Sequence, residues 1–138
     1  MADATLRTHK IHDLSHFGLR VVVGVFFIVH SIMKFNPQFQ GFMTSVGLPG
    51  EMSILIGLLE LIGGILLVVG VLTRIASSLL AIDMFGAIVY IKKIESFSGK
   101  NGIELELLAF IILLTVIVLG PGRISISYIV KKIPRILQ

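Results

Sequence analysis

The stretch "MSILIGLLELIGGILLVVGVL", Met52 to Leu72, decides the fold. It carries a single charged residue, Glu60, in a run otherwise suited to hydrocarbon. About 20 consecutive apolar residues are enough for a helix to cross a bilayer. Composition agrees: 55% of the 138 residues are hydrophobic, 14% are charged, and the mean hydropathy is +0.99. Soluble domains carry about a quarter charged residues. The chain reads as an all-α integral membrane protein, and its length suits one domain over residues 1–138.

Three further apolar runs flank this one. They cover about residues 14–33, 75–91 and 103–119, which with 52–72 predicts a four-transmembrane-helix bundle. "VLTR", Val71 to Arg74, makes a tight hairpin between the second and third runs, and "GPGR", Gly120 to Arg123, stops the fourth. A long connection from Lys34 to Glu51 holds Pro37, Pro49, Gly41, Gly47 and Gly50, which fits an irregular or re-entrant segment. Residues 1–13 form an N-terminal interfacial segment, and residues 120–138 a basic amphipathic tail, with Lys131, Lys132 and Arg135, that suits an anionic leaflet. The polar start followed by a long apolar run does not resemble a cleaved signal peptide.

Basic residues set the orientation. Arg7, Lys10, Arg20, Arg74, Arg123, Lys131, Lys132 and Arg135 fall on one side; Lys34, Lys92, Lys93 and Lys100 fall on the other. The richer side is expected to be cytoplasmic. Both termini then lie inside and the long first loop outside, in a multi-pass protein of a prokaryotic plasma membrane. The same flanking positions account for the net charge of +4, so no nucleic-acid partner is expected. The absence of cysteine excludes disulfides, thiolate nucleophiles and Cys-ligated metals.

Ionisable residues inside spans cost about 2.5–3.5 kcal/mol on insertion and usually face the bundle interior. Glu60 lies about eight residues from the outer start of the second span, and Asp83 about eight from the outer end of the third, at about 1.5 Å per residue. His30 and Lys34 stand near the outer end of the first, and Glu104 and Glu106 at the outer start of the fourth. All four spans thus offer polar groups to the outer half of the membrane. Gly57, Glu60 and Gly64 form one helical stripe, extended by Ser53, and small residues let helices approach closely. Asp83, Gly86 and Tyr90 share a face; Gly57, Gly64 and Gly86 are therefore read as helix-packing positions. Arg20, Gly24, Phe27 and Ser31 form a further stripe. The acids with His30 and Lys34 make candidates for a quinone or proton site. The structural alternative is that these charges neutralise one another and lock the helices.

"HKIHDLSH" sets His9, His12 and His16 on one helical face beside Asp13. Imidazole with carboxylate can ligate metal. The spacing is nonspecific, and the simpler reading is the polar face of an interfacial helix.

Taken together, "LRVVVGVFFIVHSIMKF", "GLLELIGGILLVVGVLTRIASSLLAIDMFGAI" and "ELELLAFIILLTVIVLGPGRISIS" resemble the DoxX family of small four-span membrane proteins. Positions that match the family pattern are Arg20, Gly24, His30, Lys34, Glu60, Gly63, Gly64, Gly70, Arg74, Glu106 and Arg123. Ser31 stands where Gly is usual, and Ser127 where an Asp often follows. The resemblance implies association with membrane oxidoreductases, including a subunit of a thiosulfate:quinone oxidoreductase. The expectation is a subunit of a quinone-linked oxidoreductase, not catalytic alone, with quinone as a non-covalent cofactor and with lipid and other membrane subunits as partners. The alternative is a non-catalytic accessory or scaffold subunit of a larger complex, such as a monooxygenase or respiratory assembly.

Overall fold

The computed structural model of the chain describes residues 10–99, 102–130 and 134. His9, Lys131, Lys132 and Arg135 lie outside the described residues, as do the rest of residues 1–9 and of 131–133 and 135–138.

Helix α1, Lys10–Lys34, begins with Asp13 in its first turn and ends on Lys34, so both charges oppose the helix dipole. Helix α2, Pro37–Ser45, lies inside the connection expected to be irregular. Its start has a local cause: the Asn36 side chain accepts from the Gln38 amide at 3.0 Å, and Pro37 occupies the first turn. Helix α3, Met52–Val69, stops at Gly70, whose φ of +72° caps it in the left-handed region. Helix α4, Thr73–Gly86, starts after Leu72, itself at φ +48°, and runs on into a π-helical turn, Ala87–Ile91. Helix α5, Glu104–Leu119, carries both its acids in the first turn. A four-residue turn, α6, Ile126–Ile129, follows, with the Ser125 hydroxyl accepting from the Tyr128 amide.

The four long helices pack as a ring. The widest contact joins α1 to α3; α3 then meets α4, α4 meets α5, and α5 returns to α1. Phe27, Leu67, Leu80, Leu113 and Val116 fill the centre with no exposure beyond 0%. The outer faces are apolar: Leu55 is 67% exposed, Ile82 68% and Val118 76%. In water such a surface would be a liability; against lipid chains it is the matching solvent.

Glycine sets the α1–α3 distance. A Cβ on Gly64 would fall 2.6 Å from the Gly24 carbonyl oxygen, and one on Gly24 would fall 2.7 Å from that of Gly64. Gly63 faces α4 instead, against Leu80. Among the described residues, three stretches are long and apolar enough to cross a membrane: Lys10–Lys34, Met52–Val69 and Thr73–Ile91. Helix α5 has 16 residues, about 24 Å, which is short of a hydrocarbon core of about 30 Å.

The opposite end of the bundle is closed by Arg20, which is 1% exposed. Its Nε donates to the Leu67 carbonyl at 2.7 Å, one Nη donates to the Pro121 carbonyl and the other to that of Ile124 at 2.6 Å. Leu67 lies in the last turn of α3, where carbonyls lack helical partners. The guanidinium therefore caps α3 and ties to it the segment after α5. The Ser127 amide donates to the Gly70 carbonyl at 3.2 Å and adds to this tie.

Candidate functional site

The end of α1 brings Lys34 against α3. Gly57 makes this approach available: a Cβ there would lie 3.0 Å from Lys34 Cβ and 3.1 Å from the Phe35 ring. One turn further along α3 stands Glu60, whose Oε1 lies 3.7 Å from Lys34 Nζ. The ammonium also sits 4.2 Å from the centre of the Phe39 ring, on α2. Asp83 of α4 completes the group, with Lys34 and both carboxyls inside one another's electrostatic reach.

These three side chains line a cavity of about 510 Å³. The rest of its wall is apolar, with Met43 of α2 as a roof and Ile56, Leu59 and Ile82 among its sides. Cavities of about 300–1,000 Å³ with apolar walls and a few convergent polar groups are the usual form of a small-molecule site. Glu60 is 1% exposed; its Oε2 and the buried Oδ2 of Asp83 meet no hydrogen-bond donor, and the two carboxyls lie close enough to share a proton. Buried polar atoms are normally satisfied. The two carboxyls stand within hydrogen-bonding reach of each other on the wall of the cavity, so a proton on either one joins them. A carboxyl can accept a hydrogen bond when ionised and donate one when protonated, so the pair can hold either partner of a proton-coupled couple.

The other sequence candidates separate. His30 is half-buried, turns its Nδ1 to the Phe26 carbonyl at 3.1 Å, and stacks on the Phe26 ring at 4.0 Å; it does not line the cavity. Glu106 pairs with Lys92 at 2.8 Å, and Lys92 also donates to the Gly102 carbonyl. That pair lines a second cavity of about 350 Å³, which shares Lys34, Ala87 and Ile91 with the first. Glu104 is exposed. Gly57 and Gly64 sit in the α1–α3 seam, whereas Gly86 faces open space, with nothing within 4 Å of where its Cβ would stand. Gly86 lines the larger cavity instead.

At the far end, His12 is exposed and Asp13 and His16 are half-exposed, with the His16 ring against Gly122. Among the described residues no three His, Asp or Glu side chains converge as metal ligands. Sequence reasoning missed Met43 as the roof and the π turn as a shared wall. The only advance signal for α2 was the Asn36-Pro37 start.

The DoxX family model matches residues 16–93, from the start of the membrane part of α1 through the π turn. The match contains Lys34, Glu60 and Asp83 and stops before Glu106. A Bacillus subtilis (strain 168) protein named "Putative oxidoreductase CatD" is 37% identical over 103 residues, covering 72% of this chain and 76% of that one. An uncharacterised membrane protein of Mycobacterium tuberculosis is 32% identical over 130 residues, covering 83% of this chain and 80% of its own. A Haemophilus influenzae protein is 34% identical over 115 residues, covering 79% and 85%. No solved structure matches the chain. By the family match and these relatives, the chain belongs to the DoxX family.

Proposed function

We propose that the chain is a membrane subunit of a quinone-linked oxidoreductase, and that Lys34, Glu60 and Asp83 bind the quinone head group and hold its protons. The facing carboxyls of Glu60 and Asp83 beside the Lys34 ammonium, on the wall of an apolar cavity, carry this reading. The residues fit such a ligand: the Lys34 ammonium donates to a quinone oxygen, a carboxyl accepts from a quinol hydroxyl, and the apolar wall takes the ring. A bound quinone would supply two-electron, two-proton chemistry. The side chains of this chain orient the ring, exclude bulk water and exchange protons at the two carboxyls. Electrons come from a partner subunit, since the sequence has no cysteine to hold a cluster. The relative named an oxidoreductase supports the class of reaction.

In this reading α5 is a fourth span, carried through the bilayer beside α4 and α1 despite its length, since local thinning accommodates a short helix. Both termini face the cytoplasm of a prokaryotic cell, and the Lys34 end of the bundle faces outward. The 3.7 Å approach of Lys34 to Glu60 favours a second reading, an ion pair that only locks α1 to α3 in a scaffold subunit. Glu60→Gln separates the two. It keeps size and hydrogen bonding and removes the proton-holding group. The quinone-site reading expects normal membrane assembly with quinone-dependent turnover of the host complex reduced at least tenfold. Full turnover in an assembled Glu60→Gln complex would overturn it.

A further inference from the structure

The larger cavity reaches the outer surface of the bundle between α3 and α4. Ile56 and Leu59 of α3 form one side; Leu79 and Ile82 of α4 and Tyr90 of the π turn form the other. Ile82 and Tyr90 are 68% and 70% exposed, so this mouth opens on the apolar face that meets lipid. Gly86 lies on the same wall, one turn from both Asp83 and Tyr90, and its missing side chain leaves open space. The smaller cavity has the opposite character. Lys92, Glu95 and Glu106 give it charged walls, and it lies against the connections at the Lys34 end of the bundle. The two cavities share Lys34, Ala87 and Ile91. The π turn thus runs along both cavities: Tyr90 lines only the apolar one, and Ala87 and Ile91 line both. Single π turns inside α-helices occur often at functional sites.

We propose that the site has two entrances: a lipid-side mouth between α3 and α4, with Gly86 at its sill, that admits a ligand with an apolar tail, and a charged vestibule at Lys92, Glu95 and Glu106 that brings water to Lys34, Glu60 and Asp83. The choice of ligand rests on the quinone reading above; the two entrances do not. The arrangement follows from solvent. A ring with a long hydrocarbon tail is dissolved in the bilayer and reaches Glu60 sideways. Protons need water or charged groups, which the mouth between Ile56, Leu59, Leu79 and Ile82 lacks and the vestibule supplies.

The chain contains no cysteine, so single labels can be introduced cleanly. Nitroxide labels at Tyr90→Cys and Ile91→Cys, in the full chain in liposomes, sit at nearly equal depth. Two entrances predict that oxygen, which concentrates in lipid, dominates the broadening at 90, and that a water-confined nickel chelate also reaches 91, with a nickel-to-oxygen ratio several-fold higher there. Equal ratios at the two positions would overturn the proposal. Gly86→Leu puts a side chain into the mouth from a position where a Cβ meets nothing within 4 Å, and Leu is the better helix former. It should weaken the binding of decylubiquinone at least tenfold with an unchanged melting temperature; unchanged affinity would remove Gly86 from the entrance. If decylubiquinone fails to bind the unsubstituted protein, the quinone reading falls, and the two label ratios still decide the entrances.

Discussion

Glu60 and Arg20 are both 1% exposed, yet they are satisfied very differently. Arg20 spends its donors on three backbone carbonyls that helix ends and turns leave open. Glu60 keeps one oxygen 3.7 Å from Lys34 and leaves the other unpartnered. Leaving a buried group unpaired costs about 1–3 kcal/mol, and more when it is charged; the buried hydroxyls of Ser53, Thr73 and Ser77 are also unpartnered, but Glu60 alone among these four carries a carboxyl. Arg20 therefore belongs to the frame, and Glu60 is the residue on which the proposed site turns. Hydrogen bonds from a charged donor contribute about 1.5–3 kcal/mol each. Arg20→Lys keeps the charge but cannot reach all three carbonyls from one head, and is expected to lower stability by about 3 kcal/mol. Thermal unfolding in detergent checks this; a melting temperature unchanged from the parent would show that the clamp is not structural. Glu60 and Lys34 were legible in the sequence because charges inside apolar runs are rare. The Arg20 clamp was not, since any residue can supply a backbone carbonyl and spacing carries no trace of it. His30 was misleading for a related reason: it shares a helical face with Lys34 but turns back to its own helix.

At the scale of elements, the glycines divide by what their missing side chains make room for. Gly24 and Gly64 admit each other's backbone across the α1–α3 seam, and Gly57 admits Lys34. Gly86 admits nothing in the protein and leaves space in a cavity wall. Helical periodicity cannot separate these cases, because a small residue looks the same whether a neighbour or a ligand occupies the gap. Overpacking a well-filled contact costs about 1–3 kcal/mol. Gly64→Val is expected to destabilise by at least that much, since its first carbon already meets the Gly24 carbonyl. Gly18→Ala, with nothing within 4 Å, should change stability by no more than about 1 kcal/mol in the favourable direction. A comparison of their melting temperatures checks the seam, and equal values would contradict it. Helix α2 escaped sequence reading because its surroundings hold two prolines and three glycines, which spell loop. Its Asn36 cap is a single local signal against them. The π turn has no sequence signature at all, yet it forms the wall between the two cavities.

For the whole molecule, the ring of α1, α3, α4 and α5 creates a site that no one helix contains. Lys34 comes from α1, Glu60 from α3, Asp83 from α4 and the roof from α2. The apolar runs and the membrane class were plain from composition and length. Which charges meet was not, because that depends on how the ring closes, and the order of spans along the chain leaves several closures open. The family match stops at residue 93, so α5 with Glu106 lies outside the matched residues while Lys92, the partner of Glu106, lies inside them. The central claim is that the cavity between α3 and α4 holds a quinone ring against Glu60 and Asp83. Photo-cross-linking of the reconstituted chain with an azido-quinone, followed by peptide mapping, tests it most directly. The account predicts saturable cross-links within residues 52–60 and 79–91 that excess decylubiquinone removes. Cross-links spread over the lipid faces of α1 and α5, with no competition by decylubiquinone, would contradict it.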